Sequence, residues 1–474
     1  HDIEAPELLD VVLTSGLLKD GVWFVATETA VVRAFVLDAV GAIAAVLVAG
    51  EPAASVAGAY ERVVTLPEGP ASLAVTAVDT MGNAADASLD VFRDGVPPVC
   101  SVEPLPKDGW TSAGAVTLSG RSDDAGVGGG HVELAAEGLS EPNVPVADGG
   151  AFAFDVPLPP VDGALAIVTH CVDALGNRSG SVATELHKDT ASPVIAGPLP
   201  VPGVVGPSAQ IVSVSVTDAD PKTAVRFQRD ADAPVDAALD GGRFAAAVVP
   251  PSEDGPFTVH VTAEDRAGHV ATLALDYTRD GTGPALGAPE VVGSVARDGV
   301  LWVGSAKALV RVVAADAPSG VAAVSVAGPL ATAAMGFQNG AYESLVDVPD
   351  GASSPFAVRA VDGVGNETVR TITIAPDLTP PSCVLDALAD DGWTRLPSVQ
   401  LQGSAVDLGV GGVLVELLVG DLGTGLGPEE GGFGRAVTLT AEGDTTLQLR
   451  CEDALGHVAE STVQVVHFDR RRLS

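Results

Sequence analysis

Five aspartates, Asp79, Asp173, Asp265, Asp362 and Asp453, each open an Asp-x-x-Gly-Asn/His turn, at spacings of 94, 92, 97 and 91 residues. The turns read Ala77-Val-Asp-Thr-Met-Gly-Asn83, Cys171-Val-Asp-Ala-Leu-Gly-Asn177, Ala263-Glu-Asp-Arg-Ala-Gly-His269, Ala360-Val-Asp-Gly-Val-Gly-Asn366 and Cys451-Glu-Asp-Ala-Leu-Gly-His457. A period of that size marks a tandem array. Two further aspartates accompany each turn. One lies in the junction leading into the repeat, shortly before a proline: Asp2, Asp94, Asp189, Asp280 and Asp377. The other lies in the turn after the repeat's second strand: Asp38, Asp123 or Asp124, Asp218 or Asp220, Asp316, and Asp407. In an antiparallel sandwich these two turns and the incoming linker share one end, so three carboxylates would converge there. Carboxylates clustered with backbone carbonyls are the donor set of a hard cation such as calcium. The same aspartates could instead cap their own turns through local backbone hydrogen bonds. The sequence leaves both uses open.

Other chemistry is absent from the pattern. There is no zinc-protease His-Glu-x-x-His, nucleophile elbow, phosphate loop or dinucleotide fingerprint. Gly126 to Gly130 is glycine-rich but precedes a strand, and the Asp123/Asp124 pair has no substrate cleft marked beside it. The expectation is a chain that is not an enzyme.

The elements that would position the aspartates follow from period-two alternation. In the third repeat, Ile211–Thr217 alternates strictly, Asp218 to Pro221 is a turn, and Ala224–Gln228 and Arg243–Val249 are further strands. Phe257, Val259, Val261 and Ala263 share one face of the strand leading into the motif, and Asp265 keeps that parity. Ala271–Tyr277 is the last strand. The motif's Gly supplies a positive φ. Asn or His in the next position is read as a second residue tolerant of positive φ. With no helical period of similar quality, the fold class is all-β: five tandem immunoglobulin-like β-sandwich domains forming an extended rod. The expected bounds are 1–94, 95–189 (with a disulfide), 190–280, 281–377 and 378–469 (with a disulfide), then a tail, 470–474.

The repeats differ in kind. The second and fifth share Asp-Gly-Trp, a later Gly-Val-Gly-Gly and two cysteines; the first and fourth share Lys/Arg-Asp-Gly-Val; the third stands alone. The order is therefore A-B-C-A-B. Cys171 and Cys451 hold core parity where the other repeats carry Ala77, Ala263 and Ala360. Cys100 and Cys383 open their repeats at the end where the motif strand finishes. The expected disulfides are Cys100–Cys171 and Cys383–Cys451, which imply an oxidising, extracellular or cell-surface setting.

The chain has 62 acidic and 25 basic residues, a net charge of −37. Such a field repels nucleic acid and anionic membranes, and no run reaches the roughly 18 apolar residues of a spanning helix. Hydrophobic residues make up 46% but aromatics only 4%, so cores must be built from Val, Leu and Ala. The tryptophans, Trp23, Trp110, Trp302 and Trp393, recur at matching positions, which argues for packing more than for a sugar-binding face.

Ala/Cys-x-Asp-x-x-Gly-Asn, a strand, then Asp-x-x-Pro resembles the bacterial immunoglobulin-like (Big-type) repeats of large surface adhesins and other secreted multidomain proteins. The resemblance spans Asp2 to Asp469, with His replacing Asn at 269 and 457. It implies a non-enzymatic stalk, spacer or adhesive region, or a surface-filament subunit. In some such adhesins calcium stiffens the junctions. Expected partners are neighbouring immunoglobulin-like domains, copies of the same chain and a surface ligand. The alternative is a ligand- or carbohydrate-binding accessory region of a secreted enzyme.

Overall fold

The computed structural model describes residues 3–137, 143–428 and 431–471. Those residues form mainly antiparallel sheets connected by turns, with two short 3-10 turns and no α-helix among them. The third repeat shows the plan. One sheet runs in the order Val194–Leu199, Gln210–Thr217, Arg243–Val248, Ala238–Asp240. The other runs Val204–Val205, Val270–Arg279, Gly255–Glu264, Ala224–Arg229, Val235–Asp236. Their inward faces interdigitate as Val212, Val214, Phe227, Val259, Val261, Ala263 and Leu275. This is the immunoglobulin-like sandwich, with alternate residues buried along each strand. Among the described residues, five separate hydrophobic clusters of this kind follow one another along the chain.

Two details matter for the ends of each sandwich. First, the opening segment changes sheets. After pairing antiparallel with the second strand, it crosses over and pairs in parallel with the final strand, as Val204 and Val205 do with Thr278 and Arg279. The tryptophans of the other repeats all sit in this short parallel segment. Trp23, Trp110, Trp302 and Trp393 lie opposite Val91, His187, Ala375 and His467. Second, the disulfides cross between sheets. Cys100–Cys171 and Cys383–Cys451 are formed, with Cα separations of 5.4 and 5.8 Å. Each joins the opening strand to the motif strand. They occur in the two repeats whose smaller sheet has only three strands, where Ala77, Ala263 and Ala360 fill the same core position elsewhere.

Candidate metal centres at the repeat junctions

The motif strand delivers its aspartate inward because it ends on core parity. All five motif aspartates, and Asp94, Asp189, Asp280 and Asp377 of the linkers, are 0–4% exposed. Within its own turn the motif aspartate is a cap. Asp173 Oδ1 accepts the N–H groups of Leu175 and Asn177 at 2.8 and 2.9 Å. The Asn177 side chain then donates to Asp173 Oδ2 at 2.7 Å. Asn83, Asn366, His269 and His457 repeat this second bond at 2.7, 2.7, 3.0 and 2.8 Å. This corrects the reading of that position from sequence. None of the five adopts a positive φ, whereas the glycine before each does. Asn and His are there because each carries an N–H that reaches the carboxylate four residues back.

The linker aspartates tie two repeats together. The Asp94 N–H donates to Val25 O at 2.9 Å, continuing the parallel pairing of the first repeat. Its Oδ2 accepts from Val127 N at 2.7 Å, and its carbonyl accepts from Asn177 Nδ2 at 2.8 Å, both in the second repeat. Asp280 and Asp377 repeat the scheme. Their N–H groups bond Val205 O and Val303 O, and their Oδ2 atoms accept from Ser319 N at 3.2 Å and Val410 N at 2.8 Å. Glycine is required opposite two of them. A Cβ on Gly126 or Gly409 would stand 2.0 or 2.1 Å from the Asp94 or Asp377 carboxylate.

These ties bring the carboxylates together. Ligand atoms of Asp94, Asp124 and Asp173 lie within 4.8 Å of one another, as do those of Asp189, Asp218 and Asp265, those of Asp280, Asp316 and Asp362, and those of Asp377, Asp453 and His457. Asp407 belongs beside the last set, with Gly409 N and Gly411 N bonded to its Oδ2. Of the paired alternatives, Asp123 turns outward and pairs with Arg121 at 3.1 Å, so Asp124 is the member that converges. Asp220 is claimed by Arg266, whose Nη2 lies 2.6 Å from its Oδ1, so Asp218 converges in that repeat. In the first repeat Asp38 Oδ1 caps Val40 N and Gly41 N, and Asp79 caps its motif turn. Asp2 lies outside the described residues.

Three observations bear on whether a cation fits. Burial, followed by Asp124 and Asp173, pushes the Asp94 carboxyl above its ordinary value. Burial does the same to Asp218 beside Asp189 and Asp265, and to Asp407 beside Asp377 and Asp453. Such groups need a counter-charge or a proton. Asp189, 1% exposed, has a buried Oδ2 that accepts no hydrogen bond, and Asp38 Oδ2 is buried and unpartnered too. The donors are all hard oxygen except His457. Residues of this kind fit calcium more closely than a thiol- or imidazole-seeking metal. At Asp79 and Asp362 burial also acts upward, but the bonds from Asn83 or Asn366 and the turn amides outweigh it and hold the carboxyl below its usual range.

Sequence reading missed the cations that bridge repeats. Lys19 Nζ donates to Val127 O at 2.8 Å, and Arg297 Nη1 to Val410 O at 2.6 Å, each from an A-type repeat to the next B-type loop. Between the second and third repeats, Arg266 Nη1 and Lys222 Nζ meet Asp108 Oδ2 at 2.9 and 3.1 Å. The Arg266 guanidinium stands 5.0 Å from the Trp110 ring centroid, and His187 stacks on the same indole at 4.5 Å. Trp110 is thus used for packing at the junction.

No family model matches the chain, and no curated protein matches it. Among solved structures, it is similar to a tetra-tandem repeat in the extending region of a large adhesion protein. Identity there is 18%, over 78% of this chain and 98% of that one, with a TM-score of 0.34. It is also similar to a Ca2+-stabilized adhesin that helps an Antarctic bacterium reach out and bind ice (18%, 79% and 99%, 0.32). A third similarity is to immunoglobulin domains 1–5 of Sidekick-1 (10%, 97% and 98%, 0.28).

Proposed function

We propose that the chain is a non-enzymatic structural section of an extracellular stalk or adhesin: five immunoglobulin-like sandwiches, bounded as the repeats are, stacked end to end and braced by calcium at their junctions. The observation that carries this reading is the convergence repeated at the leading end of four repeats: a linker, a loop and a motif aspartate in the second, third and fourth, and Asp377, Asp453 and His457 in the fifth. A catalytic centre would be single; four copies of one arrangement at four junctions serve the junctions. Disulfides crossing between sheets suit an oxidising exterior. At roughly 40 Å per sandwich, from strands of ~8–10 residues at ~3.3 Å each plus loops, five would span on the order of 200 Å. The test is small-angle scattering and thermal unfolding, first with calcium and then with chelator. Chelation should broaden the distribution of maximum dimension and lower the first melting transition while leaving the β signal of the cores. A compact particle in calcium, or identical curves with chelator, would remove the braced-rod reading.

A further inference from the structure

The second repeat shows what its trailing corner is for. In Lys107-Asp108-Gly109-Trp110, Lys107 and Asp108 both take the left-handed conformation, at φ 52° and 51°, and aim the Asp108 carboxylate at the third repeat. There it receives Arg266 and Lys222. Arg266 is set for this by the two hydrogen bonds that its Nε and Nη2 donate to the buried Asp220. The fifth repeat carries the same corner, Asp390-Asp391-Gly392-Trp393, with φ 53° and 50° at the two aspartates. Its indole stacks on His467 at 4.5 Å, as Trp110 does on His187. The following aspartate is also in place: the Asp469 N–H donates to Thr394 O at 3.1 Å, matching Asp189 N on Thr111 O at 3.0 Å. Asp391 is exposed and enters no ion pair among the described residues, and Trp393 is 39% exposed.

We infer that the trailing corner of the fifth repeat, at Asp390 and Asp391, is a docking surface for a sandwich of the third-repeat kind, one with an arginine directly after its motif aspartate. This rests on the stacked-sandwich reading above and adds the rule of succession. Charge complementarity selects the occupant. The residue after the motif aspartate is Thr80, Ala174, Gly363 and Ala454 in the other repeats, and only the third has a cation, Arg266. A first repeat from a second copy would therefore leave Asp391 without a partner. Asp390, standing where the second repeat has Lys107, adds another negative charge and strengthens the demand for a basic face. The corner thus specifies C after B, and disfavours head-to-tail joining of identical chains.

The experiment extends the full chain after Asp469 with a second copy of residues 190–280, or, as the control, with a second copy of residues 3–94. Amide hydrogen exchange is followed at residues 389–394. The third-repeat copy should slow exchange there at least tenfold over the unextended chain, the first-repeat copy should not, and Asp391→Asn should abolish the slowing. Asn tolerates the left-handed φ at that position, and the variant's melting in the unextended chain controls for its fold. Equal slowing by both copies, slowing by neither, or slowing that survives Asp391→Asn would overturn the inference. Scattering on the unextended chain tests the rod separately, so the two failures are distinguishable.

Discussion

Asp218→Asn should change sign with calcium. Its carboxylate shares a site with Asp189 and Asp265, with ligand atoms no more than 4.8 Å apart. At an effective dielectric of about 20, each fully ionised pair at that distance repels by about 3.5 kcal/mol. Asp218→Asn removes two of the three pairs. The retained carbonyl oxygen can still accept from Asp220 N, as Asp218 Oδ1 does at 2.7 Å, and the new amide offers a donor toward the unpartnered Asp189 Oδ2. Proton uptake and salt already relieve most of the gross repulsion. A net gain of about 1–2 kcal/mol in chelator is the expected remainder. In calcium the order reverses. The natural chain gains about 2.7 kcal/mol at a hundredfold excess over Kd, while the variant, one charged ligand short, gains much less.

Native-state hydrogen exchange at the core amides of Gly255–Glu264 reports the stability of this repeat by itself, which a melt of a multidomain chain does not. A variant less stable than the natural chain in chelator, with calcium altering neither, would refute the reasoning. The carboxylates would then be turn caps and nothing more.

Replacing Cys100 and Cys171 together by Ala should destabilise the second repeat by about 2–4 kcal/mol, read by hydrogen exchange along Gly163–Val172, with the third repeat unaffected. Asn366→Ala removes donors to Asp362 Oδ2 at 2.7 Å and Asp280 O at 3.0 Å. It should cost the fourth repeat about 1–3 kcal/mol, as expected for a buried carboxylate left short of a partner, and loosen its junction with the third.

The motif strands, the turn glycines and the cysteine positions were legible because each depends on local pattern. Period-two alternation puts Val259, Val261 and Ala263 inside, and Gly268 at φ 102° has no substitute without strain. The convergence of the aspartates was legible at one remove, through the topology of a sandwich. What each loop aspartate does was not. Asp123 and Asp124 are neighbours of one type, as Asp218 and Asp220 nearly are, and only the backbone path decides which faces the linker. The Asn/His position carried a signal that was misassigned. Its restriction to side chains with an N–H pointed to a donor as much as to a positive φ. Contacts between repeats were illegible, since Lys19 and Val127 are 108 residues apart and Asp108 and Arg266 158.

Those contacts divide the junctions into two physical kinds. Bending at Asp94 breaks some of four bonds: Asp94 N to Val25 O, Val127 N to Asp94 Oδ2, Asn177 Nδ2 to Asp94 O, and Lys19 Nζ to Val127 O. At about 0.5–1.5 kcal/mol each, that junction is stiff and only weakly salt-dependent. The Asp189 junction keeps the backbone bond to Thr111 O, but its Oδ2 receives no loop amide. Ion pairs from Asp108 to Lys222 and Arg266 take over, and both reach the surface. Salt screens exposed pairs and leaves buried hydrogen bonds nearly untouched. In chelator, raising salt to 1 M should therefore open a hinge between the second and third repeats before any other. Acid should act there too. Hydrogen bonding from Lys222, then Arg266, holds Asp108 below its ordinary value of 3.8. A depressed carboxyl contributes stability that is present above its unfolded value and lost as pH falls through its folded one. The latch should thus persist at pH 5 and release below pH 3.8. Distances between labels on the second and third repeats, set against labels on the first and second, measure both effects. Equal broadening at the two junctions in 1 M salt would mean that the ion pairs do not hold this one.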